Sequence, residues 1–138
     1  MFRTILVEDS PFFRQLLKET LLSKFPSMDI SEVESAEQAM KDIEASHPDL
    51  AFIDIKLPGE NGLELTKKIK GKYPNIAVII LTSYDLPEYR EAAIRYQANH
   101  FLSKGSTTKE NILSLVNSIL SGRKSNLNIE KPKEPVSG

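Results

Sequence analysis

The sequence predicts an α/β domain built on a mostly parallel sheet. Short apolar runs alternate with longer amphipathic stretches five times along the chain. The clearest apolar runs are continuous rather than alternating with polar residues, which is typical of parallel strands covered on both faces. A chain of 138 residues is long enough for one domain that buries a core without disulfides or a structural metal.

The apolar run Ile5-Leu6-Val7 predicts the first strand, which ends at Glu8-Asp9 and is followed by the first helix. Ser10-Pro11 predicts an N-cap followed by proline at the first helical position, where no amide hydrogen is needed. Apolar residues then recur at helical spacing until Pro26, and the aromatic pair Phe12-Phe13 is interpreted as packing.

The second and third pairs are predicted in the same way. A weaker strand lies within residues 28–33, and the capping-box pattern Ser35-Ala36-Glu37-Gln38 begins a helix that ends before Pro48. The third strand is the continuous apolar run Leu50-Ala51-Phe52-Ile53, which ends on Asp54.

The third helix follows a loop at residues 56–62 and is stopped by Gly71 and Pro74. The fourth strand, at residues 76–81, is the clearest buried strand of the sequence and ends at Thr82-Ser83. Its continuous apolar composition favours a position inside the sheet.

The last two helices surround a very short strand. Asp85-Leu86-Pro87-Glu88 opens a fourth helix that reaches about Gln97, and Phe101-Leu102 is a minimal strand that ends at Ser103-Lys104. Residues 107–110 form a second capping-box pattern and open the final amphipathic helix.

We expect the folded domain to span residues 1–122, with Gly122 as the C-cap of the last helix. Residues 123–138 lose the periodicity and carry Pro132 and Pro135. This composition predicts a disordered tail or the stub of a linker.

Composition excludes several classes of function. Nineteen acidic and eighteen basic side chains leave a net charge of −1, which argues against direct binding of nucleic acid. The absence of cysteine excludes disulfides, thiolate metal sites and cysteine nucleophiles. No apolar stretch has the length of a membrane span, and Glu8-Asp9 come too early for a signal peptide, so we expect a cytoplasmic protein.

Polar side chains follow four of the predicted strands where each strand ends. Glu8 and Asp9 follow the first strand, Asp54 the third, Thr82 the fourth and Lys104 the fifth. Because the carboxyl ends of parallel strands meet at one edge of a sheet, we expect these side chains to converge. Neighbouring carboxylates repel unless a cation neutralises them, and a set of oxygen ligands favours Mg²⁺.

The remaining groups of this edge suit a phosphoryl group. A hydroxyl at Thr82 and a compact ammonium at Lys104 both match phosphoryl oxygens. Phosphoryl transfer needs positioning and neutralisation of charge more than an elaborate base. We predict Asp54 as the phosphoryl acceptor, since a strand end in mid-sheet places it between the Glu8–Asp9 pair and Thr82.

Four segments resemble the receiver domains of bacterial two-component response regulators: residues 5–9, 52–59, 80–83 and 101–104. The resemblance covers residues 3–121 and implies phosphorelay signalling on a flavodoxin-like fold, with strand order 2-1-3-4-5 and five helices. It implies that a sensor histidine kinase or a phosphotransfer protein phosphorylates Asp54. It also implies Mg²⁺, with Mn²⁺ as an alternative, held by Glu8, Asp9, Asp54 and the backbone carbonyl of Lys56.

The resemblance further implies a conformational switch. Thr82 is the switch hydroxyl, Lys104 pairs with the phosphoryl group, and Phe101 is the switch aromatic residue. Phosphorylation then changes the face formed by the fourth helix, the fifth strand and the fifth helix. That face is expected to control an output domain or partner, or to form a homodimer.

The sequence departs from the family pattern in three places. Gly105 stands where proline is common after the lysine, so a trans bond is expected there. Phe101 replaces a frequent tyrosine and lacks its hydroxyl group. Lys56 and Tyr84, two residues beyond Asp54 and Thr82, are expected to shape water access to the phosphoryl group.

Other functions are left open at this stage. A small metal-dependent aspartyl phosphatase is the main alternative, although Lys56 stands where such enzymes carry a second acid. Flavin binding fits the fold, but Glu8-Asp9 would repel the flavin phosphate. The chain is expected to be a phosphoacceptor switch and not an enzyme, either standing alone or severed from a DNA-binding regulator.

Overall fold

The computed structural model describes residues 2–127. The chain forms a five-stranded parallel sheet in the order β2-β1-β3-β4-β5. Its strands are β1 (Arg3–Val7), β2 (Asp29–Val33), β3 (Leu50–Ile53), β4 (Ala77–Thr82) and β5 (His100–Ser103). The helices are α1 (Pro11–Lys24), α2 (Ala36–Ser46), α3 (Gly62–Lys72), α4 (Pro87–Arg95) and α5 (Lys109–Leu127). The predicted α/β class, the strand order and the five helices are confirmed.

The chain divides into two compact units. The first ends at Thr107 and contains the sheet with α1, α2, α3 and α4, and the second begins at Thr108 and contains α5. Within the residues that the structure describes, no helix is both long enough and apolar enough to cross a membrane.

Two predicted helix starts are confirmed by their caps. The Ser10 side chain accepts a hydrogen bond from the Phe13 amide at 3.3 Å. The Ser35 side chain accepts one from the Gln38 amide at 3.2 Å. Each hydroxyl thereby satisfies an amide that the first helical turn leaves without a carbonyl partner.

Both predicted ends of α5 are wrong, and α4 ends two residues before the predicted position near Gln97. The N-cap of α5 is Thr108 and not Thr107, since the Asn111 amide donates to the Thr108 hydroxyl oxygen at 3.0 Å. Helix α5 continues past Gly122 to Leu127. A glycine inside a helix costs about 1 kcal/mol relative to alanine, which weakens a helix without ending it. Helix α4 ends at Arg95, and Gln97 takes a left-handed conformation with φ of 69°.

The predicted division between a domain and a tail after residue 122 stays a prediction. Residues 123–127 belong to α5, in contrast to the predicted loss of helical structure there. Residues 128–138, the rest of the predicted tail, lie outside the described residues.

The sheet is covered on both faces within the first unit. Alternate strand residues on one face pack in one core cluster with apolar side chains of α2, α3 and α4: the strand residues Ile5, Val7, Ala51, Ile53, Val78 and Ile80. On the other face, Leu6, Phe52 and Leu81 line a small void together with Leu17 of α1. The predicted continuous apolar strands are therefore buried on both sides.

Strand register places the functional residues at one edge. The Asp54 amide donates to the Val7 carbonyl at 3.1 Å, and the Lys104 amide donates to the Thr82 carbonyl at 2.8 Å. Asp54, which follows β3, and Lys104, which follows β5, are thereby held beside the last residues of β1 and β4. Backbone hydrogen bonds of the sheet therefore continue to this edge and fix the positions of the Cα atoms that carry the functional side chains.

Candidate functional site

Three charged side chains meet at the carboxyl edge of the sheet. The Lys104 Nζ lies 2.8 Å from Glu8 Oε1 and 3.1 Å from Asp54 Oδ2. Glu8 and Asp54 are only 4% and 7% exposed. The predicted convergence of these three residues from β1, β3 and β5 is confirmed. Two buried carboxylates share one ammonium, so this group carries a net negative charge.

Backbone amides orient the two carboxylates. Asp54 Oδ1 accepts a hydrogen bond from the Ile55 amide at 2.7 Å. Glu8 Oε2 accepts one from the Ser10 amide at 3.1 Å, at the start of α1. Each carboxylate thus has one oxygen fixed by the backbone and the other turned toward Lys104.

Burial and ion pairing act in opposite directions on the pKa of Glu8 and on that of Lys104. It raises the pKa of the Glu8 carboxyl, against the hydrogen bond from Lys104, and the negative charge of Asp54 adds to the increase. Burial lowers the pKa of Lys104, but the hydrogen bond with Glu8 and the charge of Asp54 outweigh it, so the pKa of Lys104 is raised. An additional cation at this edge would relieve the repulsion between the two carboxylates.

Thr82 and Asp9 border the group in different ways. Thr82 is fully buried at the end of β4, and its Oγ1 accepts a hydrogen bond from the Tyr84 amide at 3.3 Å. Asp9 is exposed. Among the described residues, no three acidic, histidine or cysteine side chains are arranged to hold a metal ion. The structure therefore brings together two of the predicted acids with Lys104 between them, while Asp9 faces solvent.

Lys56 and Tyr84 pair beside the site. The Lys56 Nζ lies 5.0 Å from the centroid of the Tyr84 ring, within the range of a cation–π interaction. Lys56 itself is exposed. Both positions depart from the family pattern in the sequence, but no sequence pattern predicts that their side chains contact each other.

Phe101 contacts a cation that sequence analysis missed. The Arg90 guanidinium carbon lies 4.6 Å from the centroid of the Phe101 ring. Asp85 holds Arg90 through two hydrogen bonds of 2.5 and 3.1 Å. The hydrogen bonds that Arg90 donates to Asp85 lower the pKa of Asp85 and raise the pKa of Arg90. Asp85 precedes α4 and Arg90 lies five residues later, within the helix. An acid just before a helix and a base in its first turns is the sequence pattern that could have indicated this ion pair.

Gly62 and Gly105 lie in the backbone next to Asp54 and Lys104. A Cβ atom added to Gly62 would lie 2.0 Å from the Asp54 carbonyl oxygen, so α3 can approach the end of β3 only with glycine there. The sequence predicts Gly62 to be a loop residue, and no sequence pattern indicates this close approach. The Lys104–Gly105 peptide bond is trans, as expected from the absence of proline.

The aromatic pair at the start of α1 divides between two environments. Phe12 is 79% exposed, so its predicted packing role is wrong. The Phe13 ring faces the site, with its centroid 4.1 Å from the Lys104 Nζ. Both residues occupy the first turn of one helix, where consecutive side chains point in different directions.

Comparisons with known proteins agree with this geometry. The family described as "Response regulator receiver domain" matches residues 4–117. The sensory transduction protein LytT of Bacillus subtilis is 33% identical over 104 residues, 75% of this chain and 42% of that protein. The transcriptional regulatory protein ComA of the same bacterium is 32% identical over 124 residues, 88% of this chain and 58% of that protein. The chain thus spans about half the length of these curated relatives.

Solved structures give the same result. A signal receiver domain from Vibrio parahaemolyticus superposes with a TM-score of 0.82 at 29% identity, covering 94% of this chain and 98% of that one. These findings lend no support to an aspartyl phosphatase. Receiver domains of this family interact with histidine kinases and output domains. The chain belongs to the receiver domain family of two-component response regulators.

Proposed function

We propose that the chain accepts a phosphoryl group on Asp54 from a sensor histidine kinase or a phosphotransfer protein. The observation that carries this proposal is the position of Lys104, whose Nζ lies within 3.1 Å of both Glu8 and Asp54. A carboxylate that is buried at a strand end and paired with an ammonium suits an incoming phosphoryl group, whose oxygens the same ammonium neutralises.

The attacking oxygen is Asp54 Oδ2. Oδ1 is engaged by the Ile55 amide, whereas Oδ2 faces Lys104. Oδ2 forms a bond to phosphorus as the bond between phosphorus and the donor's histidine nitrogen breaks. The nitrogen keeps the electron pair of the broken bond. Lys104 then pairs with a phosphoryl oxygen, and the Thr82 hydroxyl donates to another.

The reaction depends on a divalent cation. Glu8, Asp9, Asp54 and the backbone carbonyl of Lys56 would hold Mg²⁺, or Mn²⁺ in its place, because they offer oxygen ligands alone. Two buried carboxylates with one shared ammonium fit such an ion, since the site carries an excess of negative charge. When bound, the cation neutralises the carboxylates and the phosphoryl oxygens.

Phosphorylation acts as a switch. Movement of the Thr82 hydroxyl toward the phosphoryl group draws in the chain between β4 and α4, where Asp85 anchors Arg90 over Phe101. A change in this chain segment would loosen the contact between Arg90 and the Phe101 ring. The readout by an output domain, partner or homodimer through α4, β5 and α5 is part of this proposal.

The chain acts as a phosphoacceptor and does not turn over external phosphate esters. Lys56 stands where an aspartyl phosphatase carries its second acid, and its ammonium contacts the Tyr84 ring. A carboxylic acid is better suited than a lysine ammonium to donate a proton to a leaving alcohol.

Two substrates test this function. With Mg²⁺ and acetyl phosphate we expect one phosphoryl group per chain, and with p-nitrophenyl phosphate we expect no sustained release of nitrophenol. Sustained release would favour the phosphatase. Beryllofluoride with Mg²⁺ should shift the NMR signals of Thr82 and Phe101, and unchanged signals would contradict the switch.

A further inference from the structure

The Phe13 ring forms one wall around the Lys104 ammonium. Its centroid lies 4.1 Å from Nζ, well inside the distance at which a ring face attracts a cation. The two carboxylates lie on other sides of the same atom, 2.8 and 3.1 Å away. The ammonium is therefore enclosed by Glu8, Asp54 and one aromatic ring.

Enclosure matters because lysine is otherwise a mobile side chain. Its flexible four-carbon stem normally lets the strongly hydrated ammonium extend into water. Here the Lys104 side chain is only 15% exposed. The Phe13 ring, 4.1 Å from Nζ, also lines a small void together with Leu17, Glu8 and Asp54. The ring thus replaces water on one side of the ammonium.

We propose that Phe13 is a positioning residue for phosphoryl transfer, whose ring face holds the Lys104 ammonium beside Asp54 before the phosphoryl group arrives. This inference rests on the proposed roles of Asp54 and Lys104. The property that matters is the π face. Leucine at position 13 would keep an apolar side chain there, and tyrosine would keep the aromatic ring.

The test compares Phe13→Leu, Phe13→Tyr and the matched control Phe12→Leu. Phe12 is adjacent in the same helical turn but 79% exposed. The first readout is the NMR signal of the Lys104 Hε protons, measured without metal or phosphodonor. The Phe13 ring current shifts this signal upfield. We expect Phe13→Leu to return it to the ordinary lysine position and the other two variants to leave it shifted.

The second readout is the rate of labelling by acetyl phosphate at saturating Mg²⁺. Phe13→Leu should slow labelling by about fivefold to tenfold, between the effects expected for an exposed and for a fully desolvated cation–π contact. Phe13→Tyr and Phe12→Leu should remain within about twofold of the wild type. Should Phe13→Leu fail to fold, Phe13→Met supplies a flexible apolar replacement and the same expectations hold for it.

The outcomes separate this inference from the proposed function. A wild-type chain that acquires no label at Asp54 refutes the proposed function, while the Hε signal still reports on the Phe13 contact. A labelled wild type with an equally fast Phe13→Leu variant overturns the inference. Equal slowing in Phe13→Leu and Phe13→Tyr also overturns it, because the ring face would then be irrelevant.

Discussion

Two pairs of glutamate and lysine in this chain have nearly the same geometry and opposite electrostatics. Lys104 Nζ lies 2.8 Å from Glu8, at the carboxyl edge, and Lys18 Nζ lies 2.9 Å from Glu32, on the surface between α1 and β2. The pKa of Glu8 is raised because burial outweighs its partner, whereas the hydrogen bond from Lys18 lowers the pKa of Glu32. The distance between a carboxylate and an ammonium therefore does not by itself decide whether the pKa of the carboxylate is raised or lowered.

The difference lies in water and in the ratio of charges. Glu32 is met by two cations, since Arg14 Nε also lies 3.2 Å from it, and water reaches this surface cluster. At the carboxyl edge, Glu8 and Asp54 share one ammonium away from water. The surface cluster is electrostatically satisfied and suits a structural role. The buried edge has an excess of negative charge and suits binding of a cation and an electrophile.

The largest expected effect comes from displacing the backbone of the buried edge. Gly62→Ala places a Cβ atom about 2 Å from the Asp54 carbonyl oxygen and should destabilise the fold by about 3 kcal/mol. Gly71→Ala, in the same helix with open space around it, should stabilise by about 0.5–1 kcal/mol. Urea denaturation measures both. Equal effects of the two substitutions would show that Gly62 does not support Asp54.

Removing the lysine from each pair tests the comparison itself. Lys104→Met leaves two buried carboxylates facing each other and should cost about 2 kcal/mol at pH 7. Lys18→Met should cost less than about 1 kcal/mol, because Arg14 still pairs with Glu32. The measurement is the free energy of unfolding in urea. We expect millimolar Mg²⁺ to restore part of the lost stability in Lys104→Met but none in Lys18→Met. Equal losses of stability in the two variants would contradict the proposed difference between the buried and the surface pair.

The smallest expected effect belongs to the surface cluster and depends on pH. Because the folded pKa of Glu32 lies below the ordinary 4.5, its contribution to stability is present above about pH 4.5 and is lost as the pH falls through the lowered value. Glu32→Gln should cost about 0.5 kcal/mol at pH 7, less in high salt. Unfolding measured between pH 7 and pH 3 should show the difference from wild type shrinking. A difference that grows toward acid would contradict the assignment.

Much of this architecture follows from local sequence patterns. The apolar runs and the serine caps at Ser10 and Ser35 predicted the strands and the starts of α1 and α2. The end of α5 was missed because Gly122 weakens a helix without requiring the left-handed conformation that ends one. Thr107 and Thr108 offer adjacent hydroxyls, and the pattern alone did not show which one would cap α5.

The site residues that follow strand ends could be predicted from the sequence. The site residues whose positions depend on packing between elements could not. Glu8, Asp54 and Lys104 each follow a strand, so parallel pairing brings them together. Phe13 could not be separated from Phe12 by composition, since the orientation of a side chain in a first helical turn depends on tertiary contacts. Gly62 could not be recognised either, because the approach of α3 to Asp54 is a contact between two elements.

The central claim is that Asp54, held beside Lys104 in a buried and negatively charged edge, is the phosphoryl acceptor. Its most direct test is mass spectrometry of the chain after acetyl phosphate and Mg²⁺, with borohydride reduction to mark the acyl phosphate before digestion. We predict one label on the peptide that carries Asp54, lost when Mg²⁺ is removed and absent in Asp54→Ala. Equal labelling of Asp54→Ala and wild type, or a label on Glu8 or Asp9, would contradict the claim.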